Sequence, residues 1–243
     1  MAALRAKAGD GETYDEAALA KEEAGLAKAS AKAAAAVEGL TNGLASFDFK
    51  YPDPEKNFDR SRVVGTVASN FTMADAEGTH AVALEAVAGA KLKQVIVDNE
   101  KTAMLVLQKG KLQRRVAMVP LSKIEPTTIA AAKVAQAKAL VGESRAFLAT
   151  ELIDFAPSVA KAMDYAFGNT IVCADAKAAK KVCEKLGVRS VTLEGDLYDP
   201  KGTLTGGSRP KGNSSVLIKM GECKAKAADL AHLEAQLLSL IHI

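Results

Sequence analysis

The chain has no tryptophan, an aromatic share of only 5%, three cysteines and a formal net charge of just +3 over 243 residues. Each shortfall removes a class of protein. Cys173, Cys183 and Cys223 are odd in number and form no C-x-x-C pair, which excludes a disulfide framework and a zinc ribbon and fits a reducing compartment. No run of about 18 apolar residues occurs, and Arg5 and Lys7 are followed by Asp10 and Glu12 rather than by an apolar signal core, so a soluble, non-secreted protein without a membrane partner is expected. So small a net charge leaves any nucleic-acid contact to local patches.

What is present is an ordinary globular share of hydrophobic (49%) and charged (25%) residues, enough for about one to two domains with a real core. The 47 alanines are unevenly placed, with 16 in the first 45 positions, so a long helix is expected there. After a polar, frayed end over residues 1–13, apolar residues fall seven apart at Leu19, Leu26, Ala33 and Leu40, with a second track at Glu23, Ser30, Val37 and Leu44. This is heptad spacing, but a seam that begins polar needs a partner helix. Leu230, Leu233, Leu237 and Leu240 supply one at the other end. The expectation is two arms of one antiparallel coiled coil, residues 14–45 and 219–243, flanking a folded middle; the alternative is two unconnected amphipathic helices. The last residues, Leu238-Ser-Leu-Ile-His-Ile243, resemble the translation of a sequencing-library adapter, which sets the expectation that the native chain diverges near Leu237.

In the middle, short β-branched runs at 93–98, 115–121, 169–174 and 189–194 read as strands. Helical stretches at 79–88, 100–108, 127–140, 157–167 and 176–185 lie between them. The pieces repeat: Ala83-Leu-Glu-Ala-Val-Ala-Gly89 followed by Val95-Ile-Val-Asp98 matches Ala162-Met-Asp-Tyr-Ala-Phe-Gly168 followed by Ile171-Val-Cys-Ala-Asp175. Gly89 and Gly168 each stand where a helix must stop, where a left-handed residue is cheapest as glycine. Two similar strand-helix-strand halves, 46–145 and 146–218, each with a parallel crossover, make an α+β fold.

The stretch Arg189 to Arg209, with Val191-Thr-Leu-Glu-Gly195, Asp199-Pro-Lys-Gly202 and Thr203-Leu-Thr-Gly-Gly-Ser208, resembles the end of the hinge domain of the structural maintenance of chromosomes (SMC) proteins. Val119-Pro-Leu121 and Gly168-Asn-Thr-Ile-Val172 fall in that family's order, and the resemblance covers about residues 45–220. Within the family, Phe49-Lys-Tyr-Pro-Asp-Pro-Glu-Lys-Asn-Phe-Asp-Arg60 followed by Val64-Gly-Thr-Val-Ala68 is most similar to the smaller SMC subunit of condensin. The resemblance implies a hinge at the tip of a coiled coil that dimerises with a partner SMC hinge, here that of the larger condensin SMC subunit. It implies a nuclear, chromosomal protein with room for a cytoplasmic pool. ATP and Mg2+, and the non-SMC condensin subunits, would be bound only by a head absent from this chain, so no cofactor is expected here. By the same resemblance the dimer contact is Gly202, Thr203, Leu204, Thr205, Gly206 and Gly207; the bland alternative is a flexible glycine loop.

Leu204-Thr-Gly-Gly-Ser208 looks like an ABC-type signature loop, but such a loop needs a Walker A sequence opposite it, and no stretch matches one. Glu194, Asp196 and Asp199 lack calcium-loop spacing and read as turn residues. His80, His232 and His242 share no spacing with each other or with the cysteines, and Cys173 reads as core. No catalytic constellation and no metal site is expected, and the chain reads as no enzyme. Five basic residues and no acid lie between Lys109 and Lys123, and six basic residues face two acids between Asp199 and Lys226. Within the second group, Arg209, Lys211, Lys219, Lys224 and Lys226 are the expected sequence-independent DNA contacts at the coil junction, set against an ordinary solvated face. The alternatives carried forward are the hinge of another SMC protein, homodimeric or cohesin-like, and a small α/β ligand-binding domain.

Overall fold

A computed structural model describes residues 16–75, 77–207 and 215–241. They divide into two units, Leu44–Gly221 and the flanking segments on either side of it. In the flanking unit, α1 (Glu16–Leu44) and the greater part of α7 (Val216–Ile241) are the two arms. The less exposed positions of α1 include Leu26, Ser30, Ala33, Val37 and Leu40, and those of α7 include Leu230, Leu233 and Leu237, which are the heptad tracks read from the sequence. Thr41 Oγ1 and Cys223 Sγ lie 3.6 Å apart, so the end of α1 meets the start of the returning arm, as antiparallel helices require.

The central unit is built twice from one plan. The first half runs β1 (Val63–Thr66), a 3-10 turn (Val67–Asn70), β2 (Phe71–Met73), α2 (Ala81–Ala88), β3 (Val95–Val97), α3 (Glu100–Lys109) and β4 (Met118–Pro120). After α4 (Ala131–Val141), the second half repeats it with β5 (Ala146–Leu148), a 3-10 turn (Ala149–Leu152), β6 (Ile153–Phe155), α5 (Ala160–Phe167), β7 (Thr170–Cys173), α6 (Ala176–Leu186) and β8 (Arg189–Thr192). Two short strands, β9 (Leu197–Tyr198) and β10 (Leu204–Thr205), follow. In each half the first strand is antiparallel to the third and the third parallel to the fourth, giving sheets of order β1-β3-β4 and β10-β9-β8-β7-β5. The expected crossovers are β3-α3-β4 and β7-α6-β8. The halves are sewn together by β2 and β6, which pair antiparallel with Phe71 opposite Phe155.

Alternate residues of the central strands feed different clusters. Ile96, Val119, Val172 and Val191 enter a core shared by both halves, in which the Phe71 and Phe167 rings meet edge-on with centroids 5.2 Å apart. On the opposite faces, Val95 and Val97 pack with Ala103 of α3, and Ile171 and Cys173 pack with α6 and with Ala137 of α4. Helix α4 therefore serves the second half's sheet, although its sequence position places it before residue 146. Its counterpart in the first half is not a helix but the aromatic segment bearing Phe49 and Tyr51, whose rings stack at 5.1 Å.

Gly89 ends α2 with a positive φ of 50°, which favours glycine, but its ψ of −125° is not that of the left-handed cap expected. Gly168 corrects that expectation: its φ is −66°, and glycine is required there by close approach. A Cβ would lie 2.7 Å from the Asp164 carbonyl oxygen and 2.8 Å from Thr128 Cγ2, because the chain returns to donate the Ile129 N–H to the Gly168 carbonyl at 2.8 Å.

Candidate functional site: two open sheet edges

The glycine-rich segment folds as a two-stranded ribbon laid along β8. Its first turn is closed by the Thr192 N–H donating to the Asp196 carbonyl and the Asp196 N–H donating to Thr192 Oγ1, both at 3.0 Å. The second is the Asp199-Pro200-Lys201-Gly202 turn: Asp199 Oδ1 accepts from the Lys201 N–H and the Asp199 carbonyl from the Gly202 N–H, each at 2.9 Å, with Gly202 at φ +94°. Of the three clustered acids, the Asp199 carboxylate is thus a turn-forming group, while Asp196 enters its turn through its backbone. Among the described residues no three His, Cys, Asp or Glu side chains gather as metal ligands.

On the ribbon's outer strand, Leu204 stands directly opposite Tyr198, and the Asp199 N–H donates to the Thr203 carbonyl at 3.0 Å. Antiparallel alternation then turns the N–H and C=O of Leu204 away from β9, toward the open side. The Leu204 side chain is 66% exposed. Next to it, a Cβ on Gly206 would collide with the Asp196 carboxylate, and Gly207 has φ +149°. The LTGG sequence is thus the bare edge of a sheet. Its glycines are needed for fit to the ribbon and for backbone conformation.

A second open edge lies on β4. The Val95 N–H donates to the Ala117 carbonyl at 3.0 Å and the Leu121 N–H to the Val97 carbonyl at 2.9 Å, so residues 117, 119 and 121 turn their backbone to β3 and Met118 turns its N–H and C=O outward. Pro120, the other outward position, has no N–H to offer, and its carbonyl accepts from the N–H groups of Lys123 and Ile124 at 3.1 and 3.0 Å. Beside this edge a shallow cavity of about 270 Å3 is bordered by Gln94, Met118, Lys123, Ile124 and Tyr165. Lys91 braces it from behind, donating to the Tyr165 carbonyl at 2.7 Å with its ammonium 4.3 Å from the Tyr165 ring centroid. Burial, and after it the charge of Arg189, pushes the Lys91 pKa down.

The structure thus brings Gly202, Thr203, Leu204, Thr205, Gly206 and Gly207 together on one edge. The basic residues are dispersed: Arg209 and Lys211 lie outside the described residues, Lys219 is half-buried on the first turn of α7, and Lys224 and Lys226 are exposed in the arm. In the other basic group, Arg114 donates to the Ser46 and Asp48 carbonyls at 2.8 Å each, and Lys123 pairs with Glu100 at 2.8 Å. Cys173 is fully buried, and desolvation pushes its thiol up to about 12, which leaves no thiolate for chemistry. No helix among the described residues is long and apolar enough to cross a membrane. The β4 edge was missed from sequence, though Pro120 inside an apolar strand run is the signal that an edge was there.

Comparison with known proteins gives a consistent result. The sequence family described as SMC proteins Flexible Hinge Domain matches residues 60–183. Structural maintenance of chromosomes protein 2-1 of Arabidopsis thaliana is 44% identical over 204 residues, covering 83% of this chain and 16% of the relative. The human Structural maintenance of chromosomes protein 2 is 41% identical over 189 residues, covering 77% and 16%. The chain therefore spans about one sixth of the length of these relatives. An asymmetric dimer of the Geobacillus stearothermophilus SMC hinge domain has a similar fold, with TM-score 0.62, 22% identity and 92% of both chains covered. So does a chain of the folded elbow of cohesin, at TM-score 0.63 and 19% identity, covering 92% of this chain and 33% of that one.

Proposed function

Since the chain belongs to the SMC hinge family, we propose that it is the dimerisation hinge of a condensin-type SMC subunit, paired through its two open sheet edges with the hinge of the larger SMC subunit. One observation carries this reading. The plan used twice in the central unit is finished once: β8 is covered by β9 and β10, whereas its counterpart β4 has no further strand beside it among the described residues. A partner built on the same plan offers the missing strand to β4 and accepts β10 on its own bare edge. Two such junctions, related by an approximate two-fold axis, close the pair. Gly202, Thr203, Leu204, Thr205, Gly206 and Gly207 form this chain's share of one junction, and Met118 its share of the other.

The role is assembly rather than turnover. In the longer protein, ATP binding and hydrolysis with Mg2+, and contact with non-SMC condensin subunits, belong to the head at the far end of the arms, and the protein acts on chromosomes in the nucleus. Arg209, Lys211, Lys219, Lys224 and Lys226, along the chain segment that leads into the returning arm, supply sequence-independent phosphate contacts with DNA, an interaction that weakens steeply with salt. Chromosome condensation is the process these properties serve.

The test is the light-scattering mass of the chain alone and mixed with the hinge of the larger condensin SMC subunit. A one-to-one heterodimer, lost when Gly206 and Gly207 are both changed to Val, is the expected result. A homodimer indifferent to that partner would move the chain to another SMC class, and a monomer in both samples would overturn the pairing.

A further inference from the structure

The internal repeat says what should lie on the bare side of α3. Helices α3 and α6 are capped alike, Asn99 accepting from the Thr102 N–H at 3.0 Å and Asp175 from the Ala178 N–H at 2.8 Å. Aligning the caps puts Leu107 on Cys183, Met104 on Lys180 and Leu105 on Lys181. Lys181 Nζ donates to the Leu140 carbonyl at 3.1 Å, so that side of α6 faces α4. Cys183 faces the other way, toward the ribbon: α6 packs on β9, and burial together with the nearby Asp199 carboxylate raises the Cys183 thiol. Under that cover Cys183 is 8% exposed, whereas Leu107, at the matching place of the first half, is 47% exposed; Met104 beside it is exposed too, as is its own counterpart Lys180.

Three further observations identify the occupant. Tyr198 packs into the cluster beneath α6, and Leu204, opposite it, projects from the same face of the sheet. Met118 belongs to the corresponding cluster beneath α3, so a residue placed alongside Met118 in the Leu204 position reaches the α3 face. The charges also match. Lys101, Lys109 and Lys111 are exposed on and just after α3, where Glu100 is already paired with Lys123, while the described part of the ribbon carries Glu194, Asp196 and Asp199 against Lys201.

We propose that the second hinge's ribbon lies across α3 as well as along β4, seating an apolar side chain, at the position equivalent to Leu204, against Leu107 and Met118 with Met104 at the rim. This rests on the pairing proposed above and makes each junction an apolar anchor flanked by acidic-on-basic contacts rather than backbone pairing alone. The partner it fits is a hinge whose ribbon is acidic and apolar at that one position.

The experiment titrates the full chain against the hinge of the larger condensin SMC subunit by calorimetry, for the parent, Leu107→Glu, the milder Leu107→Gln, Met104→Glu and Lys180→Glu. Both Leu107 variants should bind about tenfold or more weakly while keeping the parent's unfolding midpoint when unmixed. Met104→Glu should lose only a few-fold, and Lys180→Glu, at the matching site of the finished half, should bind as the parent does. Parent-like binding by both Leu107 variants, with the Gly206→Val, Gly207→Val double variant inactive, would remove the α3 contact and leave the pairing intact. Binding by that double variant as well would overturn the pairing itself.

Discussion

The second half of the hinge completes itself and the first does not. Around β7 the sheet is flanked by β5 and β8, extended by β9 and β10, and covered by α6 and α4 over a cluster of eight buried residues. Around β3 the matching sheet stops at β1 and β4, and the cluster beneath α3 has three. Chain that follows β8 folds back as a ribbon, whereas chain that follows β4 leaves through Pro120 toward α4. On the pairing proposed above, the demand for a partner resides in a difference between two copies of one plan. An edge strand left bare is a liability in a monomer, and it is an interface when a second molecule carries the missing ribbon.

The comparison fails most severely if the core common to both halves is opened. Phe167 is wholly buried and its ring meets that of Phe71 from the other half; Phe167→Ala should cost about 3–5 kcal/mol and lower the denaturant midpoint of the whole central unit in one transition. Two separate transitions would show that the halves fold independently. Hydrogen exchange sharpens the contrast between edges. In the unmixed chain the Met118 amide should exchange at least about a hundredfold faster than that of its neighbour Val119, and should slow on addition of the partner hinge. A Met118 amide already slow in the unmixed chain would mean that the edge is not open.

A smaller effect comes from the junction of α7 with α2. Glu85 Oε1 accepts from the Ser215 hydroxyl at 2.5 Å and from the Leu217 N–H at 2.9 Å, while Ser215 Oγ accepts from the Ile218 N–H at 3.3 Å. Glu85→Ala should lower stability by about 1–2 kcal/mol and speed amide exchange at Leu217 and Ile218. Exchange there unchanged from the parent would show that the carboxylate does not hold the helix start.

The smallest effect is electrostatic and compares the halves directly. Arg62 pairs with Asp98 in the first and Arg145 with Asp175 in the second. Burial pushes the Asp98 carboxyl up, but hydrogen bonds from Thr102, Arg62 and the Asn99 N–H outweigh it; at Asp175 the Ala178 N–H, with Arg145, outweighs a smaller burial effect. Both therefore lie below the ordinary carboxylate value of 3.8. A lowered carboxylate contributes stability that is present above its unfolded value and disappears as pH falls through the folded one. Acid unfolding below about pH 4 should be shallower in Asp175→Asn than in the parent, and an identical slope would exclude the pair as a contributor.

Much of the fold was legible because its signals are local. The strands at 95–97, 118–120, 170–173 and 189–192 fall inside β-branched runs read from sequence, since strands buried on both faces favour β-branched and small or apolar residues. The glycine punctuation gave the repeat, and the turn chemistry of Asp199-Pro200-Lys201-Gly202 gave a ribbon end. Strands β1, β2, β5 and β6 lie outside those runs: each has three or four residues, with Gly65, Thr72 and Asp154 interrupting three of them, and no periodicity develops over so short a span. The left-handed reading of Gly168 failed because a glycine can be demanded by a neighbour's approach as well as by its own φ.

By itself the sequence determined the two arms, the doubled plan and the glycine-rich segment, because heptads, β-branched runs and turn residues act over a few neighbours. Only the tertiary structure decided that β2 pairs with β6, that α4 covers the second half, that the Met118 backbone turns outward, and that Leu204, Met104 and Leu107 are left exposed. Burial and strand neighbours are set by contacts between segments far apart in the chain, and no local pattern in the sequence carries which of two like helices will find its cover within the molecule.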